Sequence, residues 1–181
     1  MRIGIDLDNT ICNTSEIIHD RIKKYAVKKS VSSEVITKDP KLIREFYNDY
    51  SIDIFKNVSI KDNVSKVLNN LKNKGDKIYV ITARSNDYLK KSSVEEETFN
   101  WLKKHGIIVD DIITNSYGEA KANVCLGYGI DIMIDDDIIN YDAINYVGIK
   151  CLLFDDMNNY EEHENRVTSW MEVEEYIERV R

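Results

Sequence analysis

Disulfide bridges and structural zinc sites are disfavoured, because the sequence contains little cysteine. Its three cysteines are widely spaced, odd in number and in no C-x-x-C pair: Cys12, Cys125 and Cys151. Such thiols fit a reducing cytosol. The N-terminus runs directly into an apolar stretch that ends in charge, so we expect no signal peptide and a cytoplasmic protein. No histidine stands near Cys12 in a recognisable pattern, so a catalytic thiol is not expected.

Long apolar runs, proline and positive charge are also scarce. No apolar run approaches the roughly 20 residues that a membrane span needs, so no membrane partner is expected. One proline and seven glycines in 181 residues fit a compact domain with few long loops. The net charge of -7 disfavours a nucleic-acid polymer as partner. A small phosphorylated ligand remains compatible, because one metal ion and a few local cations can bind a phosphate.

What the sequence does contain is a series of short, almost continuously apolar runs separated by helix-like stretches. Continuous rather than alternating hydrophobicity is typical of strands buried on both faces. The pattern predicts an α/β fold, with a Rossmann-like parallel sheet of about five strands and helices on both faces. The runs are RIGID, KIYVIT, DIITN, DIMID and KCLLFD.

The segment between the first two predicted strands is too long for a simple crossover. Residues 13–60 contain two helix-like stretches and no convincing strand. We therefore expect a small helical cap at 13–60, inserted into a core formed by 1–12 and 61–181. The alternative is a set of extra helices beside the sheet, with no role in substrate binding. The insert's aromatic residues could stack on a base or form its own small core: Phe46, Tyr47, Tyr50 and Phe55.

Polar side chains stand where several predicted strands end. Asp6 closes the first run and Asp8 follows two residues later, Thr82 closes the second run, and three aspartates follow the fourth. In open parallel sheets, ligands bind at the carboxyl ends of the strands. Two close carboxylates repel each other unless a cation compensates them, and a divalent cation such as Mg²⁺ prefers oxygen ligands. The three aspartates are Asp135, Asp136 and Asp137.

This set of residues fits the hydrolysis of a phosphate monoester. Asp6 can supply an oxygen nucleophile, and Asp8 can protonate the leaving oxygen and later deprotonate water. Mg²⁺ between Asp6 and the acids after the fourth strand would offset charge. Thr82 can donate its hydroxyl to a phosphoryl oxygen, and Lys121, at the start of a predicted helix, supplies a further cation.

Together these stretches resemble the haloacid dehalogenase superfamily of aspartate-nucleophile phosphohydrolases. DLDNT resembles its first motif, D-x-D-x-T, and VITAR resembles the second. Lys121 matches the third motif, and MIDDD the fourth. The resemblance implies that Asp6 is the nucleophile and Asp8 the acid/base. It implies Mg²⁺ ligands from the Asp6 side chain, the Asp8 backbone carbonyl and Asp136. Asp135 is either the alternative ligand or the residue that orients Lys121.

Softer segments resemble the 5'(3')-deoxyribonucleotidases and their bacterial relatives. These segments are ITAR, TFNWLKKHGI and the tail from LLFDD to VEEYI. The resemblance implies a Mg²⁺-dependent 5'-nucleotidase acting on (deoxy)nucleoside monophosphates. The site for the phosphate would comprise Thr82, Ala83, Arg84 and Lys121, although Arg84 could instead contact the cap or lie in a surface loop. Two alternatives stay open: a phosphatase of another small metabolite, such as a sugar phosphate, and a non-catalytic module that binds Mg²⁺ and a nucleotide. The oligomeric state is not predicted.

Overall fold

A parallel six-stranded sheet forms the centre of the protein in a computed structural model, which describes residues 1–88 and 92–181. The strand order is β3-β2-β1-β4-β5-β6, and every pairing is parallel. The strands are β1 (Arg2–Ile5), β2 (Lys77–Ile81), β3 (Asp111–Ile113), β4 (Ile132–Asp135), β5 (Lys150–Phe154) and β6 (Arg166–Val167). The predicted α/β fold is confirmed. The expected strand number of about five was one too low, because β6 has only two residues.

Helices cover both faces of this sheet. The helices of the described residues are α1 (Thr14–Lys29), α2 (Ser33–Lys38), α3 (Pro40–Asn57), α4 (Val64–Asn73), α5 (Val94–Lys104), α6 (Glu119–Tyr128), α7 (Ile138–Tyr146) and α8 (Trp170–Val180). One apolar cluster joins the sheet to α4, α5 and α8, with Leu68 and Trp170 buried in it. A second cluster joins the sheet to α6 and α7, with Ala122 and Ile144 buried. The central strands are therefore buried on both sides, which explains their continuous hydrophobicity.

Residues 13–60, which lie between β1 and α4, fold into three helices with a small apolar cluster of their own. Helices α1, α2 and α3 occupy most of this segment. The buried members of their cluster are Ile22, Tyr25, Ala26, Ile36, Phe46 and Ile54. Asp39 caps α3 by accepting from the backbone N–H groups of Lys41 and Leu42, and Pro40 occupies the first turn, where its missing N–H costs nothing. This helical insert lies at the carboxyl edge of the sheet, because Tyr47 and Phe55 line one cavity with residues of the loops that follow β1 and β2.

The sheet order reverses at β1. Strand β1 pairs with β2 on one side and with β4 on the other. The loops that follow β1, β2 and β4 therefore leave the same edge at neighbouring positions, which is where open parallel sheets bind ligands. Within the described ranges, no helix is both long and apolar enough to cross a membrane.

Candidate active site

The loop after β1 makes a tight turn that keeps its polar side chains at the sheet edge. Leu7 O accepts from the backbone N–H groups of Ile11 and Cys12, at 3.0 and 3.1 Å. Asn9 adopts a left-handed conformation with φ of 56°, which asparagine tolerates better than most residues. Its side-chain oxygen accepts from the backbone N–H of Ser15 at 2.8 Å and so ties the turn to α1. Asp6 and Asp8 flank Leu7, the first residue of this turn.

Lys121 is buried between two carboxylates at the centre of the site. Its Nζ lies 2.6 Å from Asp6 Oδ1 and 2.7 Å from Asp135 Oδ2, and its side chain is fully buried. Burial works to lower the pKa of Lys121, but Asp6 and Asp135 outweigh it and raise the pKa, so the amine stays protonated. The first turn of α6 positions this lysine because Gly118, just before the helix, donates its backbone N–H to Asn140 Oδ1 at 2.8 Å.

The three aspartates after β4 have different surroundings. Asp135 is fully buried, and its Oδ1 accepts from the backbone N–H of Asp137 and from Asn140 Nδ2, each at 3.0 Å. Asp137 caps α7, since its Oδ1 accepts from the backbone N–H groups of Ile139 and Asn140. Asp136 is half-buried, and Thr10 Oγ1 donates to its Oδ1 at 3.2 Å.

Three carboxylates converge with too little positive charge to balance them. Asp6, Asp135 and Asp136 each offer an oxygen, and these oxygens lie within 4.8 Å of one another. Burial raises the pKa of Asp6 well above its usual value, Lys121 opposes the rise, and Asp135 and Asp136 add to it. Burial, and then Asp135, raise the pKa of Asp136 to about 7. Such a cluster of oxygen ligands fits a hard divalent cation.

Asp8 is paired with Arg84 rather than with Lys121. Arg84 Nη2 donates to Asp8 Oδ1 at 2.6 Å and Nε donates to Oδ2 at 2.9 Å, so the guanidinium forks the carboxylate. Thr14 Oγ1 donates to Asp8 Oδ1 at 2.5 Å. Burial works to raise the pKa of Asp8, but Arg84 and Thr14 outweigh it and lower the pKa.

The loop after β2 brings the other predicted residues to the same edge. Thr82 is fully buried, and its hydroxyl oxygen accepts from the backbone N–H of Arg84 at 3.2 Å. Ala83 and Arg84 line a cavity between this loop and the helical insert, whereas Lys121 lies deeper. Six of the predicted residues therefore lie around one edge of the sheet: Asp6, Asp8, Thr82, Lys121, Asp135 and Asp136.

The cavity next to Asp8 has a volume of about 400 Å³. Its lining comprises Asp8, Asn9, Thr14, Ser15, Ile18, Tyr47, Ser51, Ile54, Phe55, Ala83, Arg84 and Ser85. The four aromatic residues of the insert are divided between two environments. Phe46 is fully buried and its ring stacks on Tyr50 at 5.2 Å, whereas Tyr47 and Phe55 line the cavity. Phe46 and Tyr50 thus belong to the insert core, whereas Tyr47 and Phe55 line the cavity while also packing within the protein, Tyr47 against Phe46 and Phe55 against the guanidinium of Arg84.

The cysteine near the site is not a nucleophile. Cys12 Sγ donates to Leu7 O at 3.2 Å and is fully buried. Burial first, and then Asp8, raise the pKa of the Cys12 thiol to about 12, so it stays protonated at neutral pH.

Several residues of the site were not found from the sequence. Asn140, Thr10 and Thr14 hold Asp135, Asp136 and Asp8 respectively. Trp170, at the start of α8, donates Nε1–H to Thr10 O at 2.9 Å and fixes the first loop from 160 residues away. The sequence does identify Thr10 as the threonine of D-x-D-x-T, although not its contact with Asp136. No local pattern predicts the contacts of Asn140, Thr14 and Trp170.

The sequence is similar to those of known 5'-nucleotidases. The sequence model of the family described as "5' nucleotidase, deoxy (Pyrimidine), cytosolic type C protein" matches residues 1–181. A curated protein of Chlorobaculum tepidum, named "Putative 5'(3')-deoxyribonucleotidase", is 27% identical over 125 residues. That match covers 69% of this chain and 58% of the relative, so the chain spans less than two thirds of the relative's length.

Solved structures share the fold at low sequence identity. A haloacid dehalogenase-like hydrolase from Streptococcus pneumoniae superposes with a TM-score of 0.71 at 14% identity, over 97% of both chains. A structure titled as a predicted phosphatase from Clostridium acetobutylicum gives a TM-score of 0.73 at 14% identity, over 98% of both chains. The resemblance inferred from the sequence motifs is confirmed.

Proposed function

Because this chain belongs to the family of cytosolic type C 5'-nucleotidases, we propose that it is a Mg²⁺-dependent phosphatase of nucleoside 5'-monophosphates. The observation that carries the proposal is the cluster of Asp6, Lys121, Asp135 and Asp136 at the sheet's switch point. The family's description and the name of the Chlorobaculum relative support a deoxynucleotide substrate. The same description supports a cytosolic location.

Asp6 is the proposed nucleophile. Lys121 occupies its Oδ1 at 2.6 Å, and in the described part of the chain no other side chain donates to this carboxylate. Oδ2 is therefore the oxygen that attacks phosphorus. The P–O bond to the nucleoside breaks, its electron pair goes to the leaving oxygen, and an aspartyl-phosphate remains on Asp6. Water then attacks the same phosphorus, the bond between phosphorus and Oδ2 of Asp6 breaks, its electron pair returns to the carboxylate, and inorganic phosphate leaves.

Asp8 is the proposed acid and base for these two steps. In the first step a proton on Asp8 goes to the leaving 5' oxygen of the nucleoside. Arg84 and Thr14 lower the pKa of Asp8, and the negative charge of a bound phosphate would raise it again and so favour the protonated acid. In the second step the carboxylate takes a proton from the attacking water. Its place fits this role, because it lies at the boundary between the buried cluster and the cavity.

Thr82, Ala83 and Lys121 form the proposed phosphate site. The hydroxyl oxygen of Thr82 accepts from the Arg84 backbone, which leaves its own hydrogen for a phosphoryl oxygen. The ammonium of Lys121 offsets charge on the transferring group. Ala83 lies at the cavity wall, where a side chain this small leaves room for the phosphate.

The Mg²⁺ ligands are proposed to be the Asp6 side chain, the Asp8 backbone carbonyl and Asp136. Asp135 fits an orienting role better, because both of its oxygens already accept hydrogen bonds from Lys121, Asp137 and Asn140. Asp136 has a single recorded side-chain donor among the described residues, Thr10. When bound there, the cation supplies charge neutralisation and orients the phosphate.

The nucleoside is proposed to lie in the cavity of about 400 Å³ between the insert and the β2 loop. A volume of this size falls in the range of small-molecule sites. Tyr47 offers an aromatic ring to a base and Ser15 offers a hydroxyl. Phe55, whose ring packs against the guanidinium of Arg84, adds apolar surface to the cavity. Residues 13–60 are in this view a cap that contributes to substrate binding.

The test is phosphate release from nucleoside 5'- and 3'-monophosphates, sugar phosphates and 4-nitrophenyl phosphate, with Mg²⁺ and with a chelator. Asp6→Asn is the matched control, because it keeps the shape of the side chain and removes the nucleophile. Release that requires both Mg²⁺ and Asp6, and is fastest for 5'-nucleotides, supports the proposal. Faster release from sugar phosphates would reassign the substrate. Mg²⁺ binding without any release would favour a binding module.

A further inference from the structure

The carboxylate of Asp8 is held by two side chains, Thr14 of α1 and Arg84 of the loop after β2. Arg84 and Thr14 contribute four donor contacts, three of which reach Oδ1: Arg84 Nη2 at 2.6 Å, Arg84 Nε at 3.1 Å and Thr14 Oγ1 at 2.5 Å. Oδ2 receives one, from Arg84 Nε at 2.9 Å. The two oxygens are therefore not equivalent, and Oδ2 has the greater free capacity to carry or accept a proton.

Arg84 itself is fixed from two sides. Its backbone N–H donates to Thr82 Oγ1 at 3.2 Å, and its carbonyl accepts from the backbone N–H of Asn115 at 2.8 Å, which anchors it to the core. Its guanidinium carbon lies 4.2 Å from the ring centroid of Phe55, on helix α3 of the insert. A guanidinium stacked on an aromatic face and forked to a carboxylate has little rotational freedom.

We propose that Arg84 is a positioning residue, which Phe55 holds in place and which directs Oδ2 of Asp8 toward the leaving oxygen. This inference rests on the proposed phosphatase function. It differs from the expectation that Arg84 binds the substrate's phosphate, since the side chain is turned to Asp8 and Phe55 instead. It also gives the insert a second role, because the cap then orients the proton-transferring group as well as lining the cavity.

The step affected is proton transfer during cleavage of the P–O bond. As Asp6 attacks phosphorus, the leaving oxygen takes the bond's electron pair and receives the proton from Oδ2 of Asp8. The need for that proton depends on the leaving group. Phenolate is more basic than 4-nitrophenolate, so phenyl phosphate depends more on a well-placed acid than 4-nitrophenyl phosphate does. The two esters are otherwise similar in size and shape.

The experiment compares kcat/KM for phenyl phosphate and 4-nitrophenyl phosphate in wild type and Arg84→Met with saturating Mg²⁺. Methionine keeps an unbranched stem against Phe55 and removes the three Arg84 contacts to Asp8, so that only the Thr14 hydroxyl still donates to this carboxylate. The parameter kcat/KM includes only the steps up to loss of the leaving group when that loss is irreversible, so it isolates the protonation of the leaving oxygen. We expect the loss for phenyl phosphate to exceed the loss for 4-nitrophenyl phosphate by about tenfold or more.

Two further variants separate positioning from folding. Arg84→Lys keeps the charge but cannot fork the carboxylate, and Phe55→Leu loosens the guanidinium without touching Asp8. Each is expected to shift the ratio between the two esters in the same direction, by less than Arg84→Met. If circular dichroism shows that Arg84→Met does not fold, the ratio between the two esters in Arg84→Lys and Phe55→Leu tests the positioning role instead.

The outcomes distinguish this inference from the function on which it rests. An equal loss for both esters, in variants that remain folded, would overturn the positioning role and indicate a substrate contact or a structural role. A wild type that releases no phosphate from either ester or from any nucleoside 5'-monophosphate, and matches Asp6→Asn, would overturn the phosphatase proposal and this inference with it.

Discussion

The ammonium of Lys121 lies 2.6 Å from Oδ1 of Asp6, and neither residue is more than 5% exposed. A buried carboxylate of this kind depends on its partner, because removing one member of a buried ion pair leaves an uncompensated charge. In this protein the same lysine also compensates Asp135. The stability of the site and its proposed chemistry therefore depend on one side chain.

Lys121→Met is expected to lower the free energy of unfolding by about 3–5 kcal/mol, because two buried carboxylates lose their cation. It is also expected to reduce phosphate release by at least about a hundredfold, because charge on the transferring group loses a fixed donor. Urea unfolding and a phosphate-release assay measure the two effects. Lys103→Met, on the exposed face of α5, is the control and should change stability by less than about 0.5 kcal/mol. A Lys121→Met protein with normal turnover would contradict the assignment.

Two neighbouring aspartates offer a matched test of the metal site. Asp136→Ala is expected to weaken Mg²⁺ binding by at least about tenfold, because it removes a proposed ligand. Asp137→Ala removes the N-cap of α7 and should cost about 1 kcal/mol of stability without weakening Mg²⁺ binding. Isothermal titration calorimetry measures the first effect and thermal unfolding the second. If both variants lose Mg²⁺ affinity equally, the assignment of Asp136 rather than Asp137 as the Mg²⁺ ligand is wrong.

The central strands and the positions of the polar groups could be predicted because their signals are local. A short apolar run that ends in a carboxylate or hydroxyl predicts both a strand and the polar side chain at its carboxyl end, as at Asp6 and Thr82. Parallel pairing then brings these ends to one edge without further information. The helical insert could also be predicted, because residues 13–60 contain helical periodicity and no strand-like run.

Contacts that depend on side-chain direction could not be predicted. Arg84 and Asp8 are 76 residues apart, and no periodicity tells that the guanidinium turns to this carboxylate and not to a substrate's phosphate. Asp135, Asp136 and Asp137 differ only in their partners, which the sequence does not display. Strand β6 was missed because two residues, Arg166 and Val167, are too short a run to show a pattern.

The pairing of Asp155 with Arg166 predicts a pH dependence of stability. Asp155 accepts from the backbone N–H groups of Asn159 and Tyr160 and from Arg166 Nε, each at 2.8 Å. Burial works to raise the pKa of Asp155, but these donors outweigh it and lower the pKa below its usual value of 3.8. The folded state therefore favours the ionised form. This contribution is fully present above pH 3.8 and is lost as the pH falls through the lower, folded-state pKa.

Asp155→Asn is accordingly expected to cost about 2–3 kcal/mol of stability at pH 7, because hydrogen bonds to a charged acceptor are lost. The difference in the free energy of unfolding between wild type and Asp155→Asn should narrow as the pH falls below 3.8, because the unfolded wild-type protein then takes up a proton at Asp155 more readily than the folded one. Urea unfolding at pH 7 and pH 3 measures this. Asp142→Asn, on the exposed face of α7, serves as the control. A difference that stays constant between pH 7 and pH 3 would contradict the assignment of a lowered pKa.

Phe46 and Tyr47 are adjacent in α3, yet we expect their substitutions to have different effects, one on stability and the other on KM. Phe46 is fully buried in the insert's own cluster, whereas Tyr47 packs on the edge of that cluster and also lines the cavity. Phe46→Leu should lower stability by about 1–2 kcal/mol, because it leaves space in a packed core, and should leave KM unchanged. Tyr47→Leu should raise KM for a nucleoside 5'-monophosphate by about 3–10-fold, because a stacked aromatic pair contributes about 1 kcal/mol.

The comparison substrate for this pair is glycerol phosphate, which has the phosphate but no base. Its KM should be the same in wild type and in Tyr47→Leu, since the loss is confined to the base. If KM rises equally for both substrates, Tyr47 acts on the phosphate or on the shape of the cap, and the base lies elsewhere. If Phe46→Leu raises KM for the nucleotide without lowering the free energy of unfolding, the division of the insert's aromatic residues into core and cavity is wrong. Both positions lie in α3, and both are changed to leucine. A general loosening of α3 would therefore affect the two variants alike, and the expected difference between them in stability and in KM would not appear.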